Sequence, residues 1–565
     1  MAPQTATAEV RPRPARRVRR FARRPERAWA ILILALLASG LLWRVVRYGL
    51  GFPIWGDEAF VAVDFIQRSY ADMLQPTTYG QIVPLTFMWA ELAISHALGL
   101  SEWALRLLPF LAGLASLLLF WRFAVGVLPR WSALLAIGFF AASIYLVRHA
   151  AEVKPYATDL LVSLALLTLA WRVHIRPRRA GAWLAVILLG AAAPWCSYPA
   201  IFVAATAGVL LVWQSFRALR APSRPQLHTT RSPADRKTAP ALAAGTLAFG
   251  IFAGGSFLLM YLVYGRPHAQ HAAHLTEIAM WSATFPPLLQ FWKLPLWFVA
   301  IHTGNMLAYP LGSKAPGSLI TFILVVIGSY RLWKTRRDLL WLLLGPLIFT
   351  FFAAAMKAYP YGGSARTSLY MAPAFCLLGG LGLFATLRYF VRLGLLDTGR
   401  RLRISVHVAA IVLICIAVGG AVADVVKPYK SDPVQRSWEA VQDVLHQTRP
   451  GDRWVVFNAT EKVDYAPWLG DWRGTGGQFV FDVLRFHPVP LAWAPRPETV
   501  APDPGGRVWL FSYRGWKIPF PEEQLASYLK TIEQRLGPAE HKQYFLKEKK
   551  GQLEAIDLYV FGPPE

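Results

Sequence analysis

Acidic residues are scarce in this chain: 33 aspartates and glutamates stand against 59 lysines and arginines, a formal net charge of +26 over 565 residues. Charged residues of either sign make up only 16% of it, which argues against a soluble enzyme. Cysteine is scarcer still. Its three copies, Cys196, Cys376 and Cys415, fall in apolar runs, which argues against a disulfide framework or a thiolate metal site and favours small buried side chains. No internal repeat is evident. No A-x-A-like cleavage site follows the nine arginines between Arg11 and Arg27, so their twin-arginine spellings read as a cytoplasmic anchor, not an export signal.

What the chain does have is apolar sequence: 55% of its residues are hydrophobic, gathered into runs of membrane-spanning length. The basic residues do not form the single stripe that nucleic acid would require. They sit in short clusters between the runs, as cytoplasmic loops do. Read this way, spans fall at 28–48, 103–123, 131–147, 157–171, 183–195, 199–213, 242–264, 317–333, 339–356, 368–390 and 404–423. That is a polytopic α-helical membrane protein of about eleven transmembrane helices, N-terminus cytoplasmic and C-terminus outside. Two further apolar stretches, 84–98 and 291–311, are read as juxtamembrane or re-entrant helices. The first is short and carries Glu91 and His96; the second is broken by Pro295, Gly304 and Pro310. Counting either alone as a crossing would put basic loops on the wrong face.

Three parts follow: a basic cytoplasmic segment (1–27), a transmembrane domain (28–424) and a soluble α/β domain on the outer face (425–565). In the last, Trp454 to Phe457, Val508 to Phe511 and Leu558 to Phe561 have strand length, and 437–446 and 522–536 read as helices. Segment 220–240 is a polar cytoplasmic linker. The Ala-, Arg-, Pro- and Gly-rich composition and the lack of eukaryotic targeting signals point to a bacterial inner (plasma) membrane.

Two polar corners carry the chemistry. Asp57 and Glu58 follow the first span and open what reads as an interfacial amphipathic helix, with Ala59, Ala62, Ile66, Tyr70 and Met73 on one face and Asp64, Arg68 and Asp72 on the other. Acidic side chains at a membrane boundary are costly to hold beside lipid and are commonly functional. Favouring the helix N-terminus explains the pair equally well. The second corner packs Arg148, His149, Glu152, Lys154 and Asp159 into twelve residues, with Asp159 inside the next span. A plain turn needs fewer charges; a wall offering cations to a phosphate, and a carboxylate to orient them, explains more. Arg44 and Arg47 at the first span's end fit snorkelling or lipid-phosphate binding alike. His268, His271 and His274 recur every third residue and, with only Glu277 near, read as a polar loop rather than a metal site. The many tryptophans and tyrosines read as the interfacial aromatic belt. In the outer domain Trp438, Trp454, Trp468, Trp472, Trp493, Trp509 and Trp516 read mostly as core.

The order of motifs is similar to that of GT-C type membrane glycosyltransferases. It most resembles the family-39-like group of protein O-mannosyltransferases and the lipid A aminoarabinose transferase. The resemblance rests on Asp57-Glu58, on Gln81-Ile82-Val83-Pro84-Leu85, and on the run from Gly99 through Ser101-Glu102-Trp103 to Arg106. It continues in Glu152-Val153-Lys154-Pro155-Tyr156 and in Tyr359-Pro360-Tyr361-Gly362-Gly363-Ser364-Ala365-Arg366, and covers about 28–390. One departure is Ile82-Val83-Pro84, where many relatives have His-Pro-Pro or Lys-Pro-Pro.

The resemblance implies a sugar donor on polyprenyl phosphate at the outer face and an acceptor hydroxyl on a lipid, glycan or protein. It implies Asp57 as general base in an inverting attack, with Glu58 as its support or a weaker candidate. Lys154 and Arg366, with Arg148 behind them, would meet the leaving phosphate's charge, and Tyr156 would hydrogen-bond it. Glu152 would hold Lys154 or contact sugar hydroxyls; Asp159 would line the substrate site. Arg106 fits a structural role. Some GT-C enzymes use a divalent cation; no ligand set for one, and no other cofactor, is visible here. The competing reading is a transporter or flippase for a lipid-linked sugar, which would place ionisable groups at mid-membrane in repeated halves.

Overall fold

The computed structural model describes residues 16–220, 239–274, 277–310, 317–393, 398–427, 432–457, 478–479, 481–482, 485, 492–493, 496–502, 504–514, 521–549 and 552–562, with the backbone alone at 16–26, 67, 272–274, 277–280, 398–399, 492–493, 547–549 and 552–553. The expected segments 1–15 and 221–238, the tryptophans Trp468, Trp472 and Trp516, and the side chains of His274, Glu277 and Trp493 lie outside what is described.

The chain is mostly helical. It runs α1 (Arg16–Gly49), α2 (Gly56–Ala62), α3 (Asp64–Gln67), α4 (Leu85–Leu98), α5 (Glu102–Leu105), α6 (Leu107–Val127), α7 (Arg130–Ala141), α8 (Ile144–Arg148), α9 (Tyr156–Ile175), α10 (Ala180–Cys196), α11 (Ala200–Leu219) and α12 (Ala239–Met260). Then follow α13 (Arg266–His274), α14 (Leu294–His302), α15 (Gly317–Thr335), α16 (Arg337–Ala355), α17 (Ala372–Arg392), α18 (Thr398–Val426) and α19 (Asp432–Gln447), and later α20 (Glu522–Leu536). All eleven expected spans are helical. Among the described residues, nine helices are long and apolar enough to cross a membrane, and α7 with α8 makes a tenth, bent by 52°. The remaining one, α10, is an apolar helix of 17 residues. The stretches read as juxtamembrane contain α4 and α14.

Close helix packing fixes the bundle. A Cβ on Gly382 of α17 would lie 1.9 Å from the Leu324 carbonyl oxygen of α15, and one on Gly328 would lie 2.1 Å from that of Leu378. Only glycine lets the two backbones approach this far. Helix α1 is tied to α18 through Asp424, which accepts from Trp43 Nε1 at 2.8 Å and pairs with Arg47 at 2.5 Å. Arg44 is 1% exposed and donates to the Gly40 carbonyl oxygen at 2.8 Å. The expectation that Arg44 and Arg47 reach for headgroups is therefore corrected: both guanidiniums turn into the bundle, one Nη1 to the Gly40 carbonyl oxygen and the other to Asp424.

A second correction concerns the segment after Asp57. The expected single amphipathic helix ends at Gln67, and the chain turns back. Asp64, expected on the polar face, is 1% exposed and anchors the turn, accepting from the Thr78 N–H at 3.3 Å and pairing with Arg68 at 3.3 Å. The carboxylate captures loop 68–78, and that local bond competes successfully with helix continuation. Further on, Gly99 ends α4 at φ +79°, and Ser101 caps α5 by accepting from the Ala104 N–H at 3.2 Å.

The C-terminal part is a mixed sheet of β1 (Arg453–Val456), β2 (Ala492–Trp493), β3 (Val508–Arg514), β4 (Glu540–Lys549) and β5 (Gln552–Phe561) in the order β2-β1-β3-β5-β4. Strand β1 is parallel to β2 and β3, while β5 is antiparallel to β3 and β4. Alternate residues face opposite layers. Val455 and Leu510 pack towards α20, with Leu525 and Ile532. Trp454, Val456, Trp509 and Phe511 share a core with Val441 and Val444 of α19 and with Ile54, Val61, Phe65, Leu105 and Val153 of the helical domain. The sheet domain thus seats on the loops that carry both polar corners.

Beneath it, Glu91 on α4 is fully buried, and neither carboxylate oxygen has a hydrogen-bond partner. Burial pushes this carboxyl well above the usual range. The folded state therefore keeps a proton that the unfolded chain releases as pH rises past the ordinary carboxylate value. Stability contributed by this group falls with rising pH by about 1.4 kcal/mol per unit until Glu91 ionises in the folded state. Thermal melts from about pH 5 to about pH 8 should show this slope flattened in E91Q. An unchanged slope would remove Glu91 as its source.

Candidate active site

Asp57 and Glu58 lie in the first turn of α2, and successive helical residues point about 100° apart. The neighbours therefore face different surroundings. Glu58 turns inward: it is 1% exposed and accepts from Arg106 Nε at 2.8 Å, from Arg106 Nη2 at 2.6 Å and from the Val153 N–H at 2.8 Å. Arg106 is itself buried and donates to the carbonyl oxygens of Phe52 and Pro53, the latter at 3.1 Å. Each polar atom in this cluster is satisfied, as buried charge requires.

Asp57 turns the other way, into a group assembled from four other segments. Its Oδ1 lies 3.4 Å from Lys154 Nζ, and its Oδ2 accepts from Arg366 Nη1 at 2.5 Å. Lys154 is 2% exposed and also donates to Gln81 Oε1 at 2.6 Å. The Arg366 guanidinium lies over the Trp281 ring, 5.1 Å from its centroid. Side chains 309 positions apart in sequence thus share one carboxylate. Arg366 is carried on the loop before α17, the helix held by the glycine contacts above.

The rest of the second corner forms its own group. Glu152 accepts from Arg148 Nε at 2.9 Å and lies 2.7 Å from His149 Nδ1. The ring of Tyr156 meets the edge of His149, centroids 5.2 Å apart. Asp159, in the first turn of α9, is buried, and its Oδ1 has no hydrogen-bond partner. It lies within Coulombic reach of Tyr156, Tyr198, Tyr359 and Tyr370. Tyr156 has Asp57, Arg366, Glu152 and Asp159 among its charged neighbours.

Sequence reasoning did not single out Gln81 or Trp281 for these contacts. Gln81 stood inside a quoted motif, but amide and indole side chains carry no periodic signal, and Trp281 falls in a short 3₁₀ segment. Among the described residues no three His, Cys, Asp or Glu side chains gather as a metal-binding group. His268 is a packed histidine whose Nδ1 lies 2.7 Å from the Tyr264 carbonyl oxygen.

Known proteins share this fold and part of this sequence pattern. The fold is similar to that of a solved membrane transferase, ArnT, and a family model matches part of the chain. The family model described as dolichyl-phosphate-mannose-protein mannosyltransferase matches residues 83–229. In fold the chain is similar to the crystal structure of ArnT from Cupriavidus metallidurans in the apo state, at 14% identity and a TM-score of 0.51, covering 96% of this chain and 100% of that one. The same ArnT bound to undecaprenyl phosphate is similar at 12% identity and a TM-score of 0.50, over 95% and 99% of the two chains. No curated protein matches the chain by sequence.

The Glu58–Arg106 cluster yields a stability prediction. Removing one partner strands the other charge in a buried setting, so R106M should cost about 3–5 kcal/mol. Pairing it with E58Q should recover part of that. Thermal unfolding of the detergent-solubilised variants measures both, and an R106M protein as stable as wild type would refute the assignment.

Proposed function

We propose that this protein transfers a sugar from a polyprenyl-phosphate-linked donor to an acceptor hydroxyl, with inversion, at the outer face of the membrane. The observation that carries the reading is the meeting of Asp57 with Lys154 and Arg366, one carboxylate between two cations at the helix ends opposite the arginine-rich loops. Those loops, with Arg122, Arg172, Arg176 and Arg336, belong on the cytoplasmic side by the positive-inside rule. On this assignment 1–27 is cytoplasmic, 28–424 spans a bacterial inner membrane, and 425–565 lies in the periplasm.

In the reaction the acceptor oxygen attacks the anomeric carbon while Asp57 takes its proton. The new C–O bond forms as the bond from that carbon to the phosphate oxygen breaks on the opposite face. The polyprenyl phosphate leaves with the bonding pair, and Lys154 and Arg366 meet the added charge. Glu58 fits the supporting role, since its Arg106 cluster holds the turn that presents Asp57. Arg148, Glu152 and Tyr156 lie next to this phosphate position, and Asp159 lines the site deeper in the helical domain. Two related features support a lipid-borne donor: the resemblance in motif order, and a fold shared with a protein solved in complex with undecaprenyl phosphate.

Transfer measured with a purified polyprenyl-phosphate hexose should fall by about 10²–10⁴-fold in D57N, with donor binding retained. K154A and R366A should raise the donor KM. Wild-type turnover in D57N would sink the base assignment, and unchanged donor kinetics in both cation variants would sink the phosphate contacts.

A further inference from the structure

At the ends of the bundle remote from Asp57, a cavity of about 840 Å³ lies between α6, α9 and α10. Its walls are largely apolar, with Phe123 on α6 and Leu169 on α9 among them. Four arginines also line it: Arg122 on α6, Arg172 on α9, and Arg176 and Arg179 in the short connection to α10. None of the four has a carboxylate partner among the described residues. Asp338, which does reach this end of α9, lies 3.3 Å from His174. A fifth arginine braces the wall. Arg336 donates to the Val127 carbonyl oxygen at 2.6 Å and lies over the Trp171 ring at 5.1 Å, and both of these residues line the cavity.

Four like charges around an apolar hollow repel one another unless an anion sits among them. A free inorganic anion would satisfy the guanidiniums and leave the apolar wall bare. A zwitterionic lipid would cover the wall without supplying net negative charge. A lipid with an anionic headgroup does both, and basic pockets between transmembrane helices hold such headgroups by this balance. We propose that the cavity binds one anionic phospholipid, its phosphate among Arg122, Arg172, Arg176 and Arg179 and an acyl chain along Phe123 and Leu169. The bound lipid clips α6, α9 and α10 together. Helices α6 and α9 begin at Leu107, next to Arg106, and at Tyr156, beside the candidate active site, so the clip steadies that site from about 24 Å away. The inference does not depend on the sugar-transfer reading.

The test uses the full chain in detergent, with its melting temperature followed as dioleoyl phosphatidylglycerol, dioleoyl phosphatidylcholine or inorganic phosphate is added. Phosphatidylglycerol alone should raise it. The double variant R172Q/R176Q should melt like wild type without lipid and need about 25-fold more phosphatidylglycerol for the same rise, about fivefold for each charge removed. If that variant does not fold, R179Q alone should show the fivefold shift. Three results would overturn the proposal: an equal rise with phosphatidylcholine, an equal rise with inorganic phosphate, or a folded variant that titrates like wild type.

Discussion

Glu58 joins three points of the chain that are remote in sequence: the turn that opens α2, the guanidinium of Arg106 before α6, and the Val153 N–H in the second polar corner. A buried ion pair contributes little net stability once desolvation is counted. What it does here is set registry. With Arg106 also held by the Phe52 and Pro53 carbonyls, the turn before α2 cannot rotate without breaking several buried hydrogen bonds at once. Asp57, the residue before Glu58, is thereby aimed at Lys154, which follows Val153 directly. Each neighbour in the acidic pair depends on the other: one is buried to hold the backbone, the other is left partly exposed between Lys154 and Arg366.

The sheet domain extends the same constraint. Its inner layer shares a core with Ile54, Val61 and Val153, so the segments bearing Asp57 and Lys154 are packed from behind. A polar bridge crosses the same boundary: Arg485 lies 2.8 Å from Glu102 and 3.0 Å from Asp482, and donates to the Leu100 carbonyl oxygen at 3.0 Å. Burial pushes the Asp482 carboxyl up to about 8, although Arg485 pulls the other way. Glu102 belongs to the motif that ends α4 and caps α5, so this short run of sequence serves both the turn and the domain contact.

Much of the bundle was legible because span length and basic loops are strong, independent signals. Two corners could be recognised as polar for the same reason: charge at a membrane boundary stands out against an apolar background. The strands Trp454 to Phe457, Val508 to Phe511 and Leu558 to Phe561 were visible as apolar runs, and β4 was not. As an edge strand, β4 flanks the short run Tyr544-Phe545-Leu546 with Lys542, Lys547, Glu548 and Lys549, and charge along an exposed edge resists pairing with another chain. The fate of Asp64 was hidden because its partner Thr78 lies fourteen positions on, across a turn that periodicity cannot see. Convergence of Asp57 with Arg366 is likewise a tertiary fact. Only the resemblance in motif order, not spacing, hinted that the late loop returns to the first corner.

On the proposed chemistry, the arrangement of charge around Asp57 explains why two cations are present and not one. Without donor, both are engaged with the carboxylate, and a carboxylate so compensated is a poor base. A polyprenyl-phosphate sugar is a phosphodiester and brings one negative charge, so carboxylate and donor together balance Lys154 and Arg366. As the glycosidic bond breaks, the phosphate gains a second charge; as the acceptor proton arrives, Asp57 loses its own. The sum stays at zero throughout, and the cations need only shift from carboxylate to phosphate. Each shift leaves Asp57 less compensated and more basic at the stage when the acceptor hydroxyl must give up its proton. Bond cleavage and proton removal are thereby coupled through the same pair of side chains.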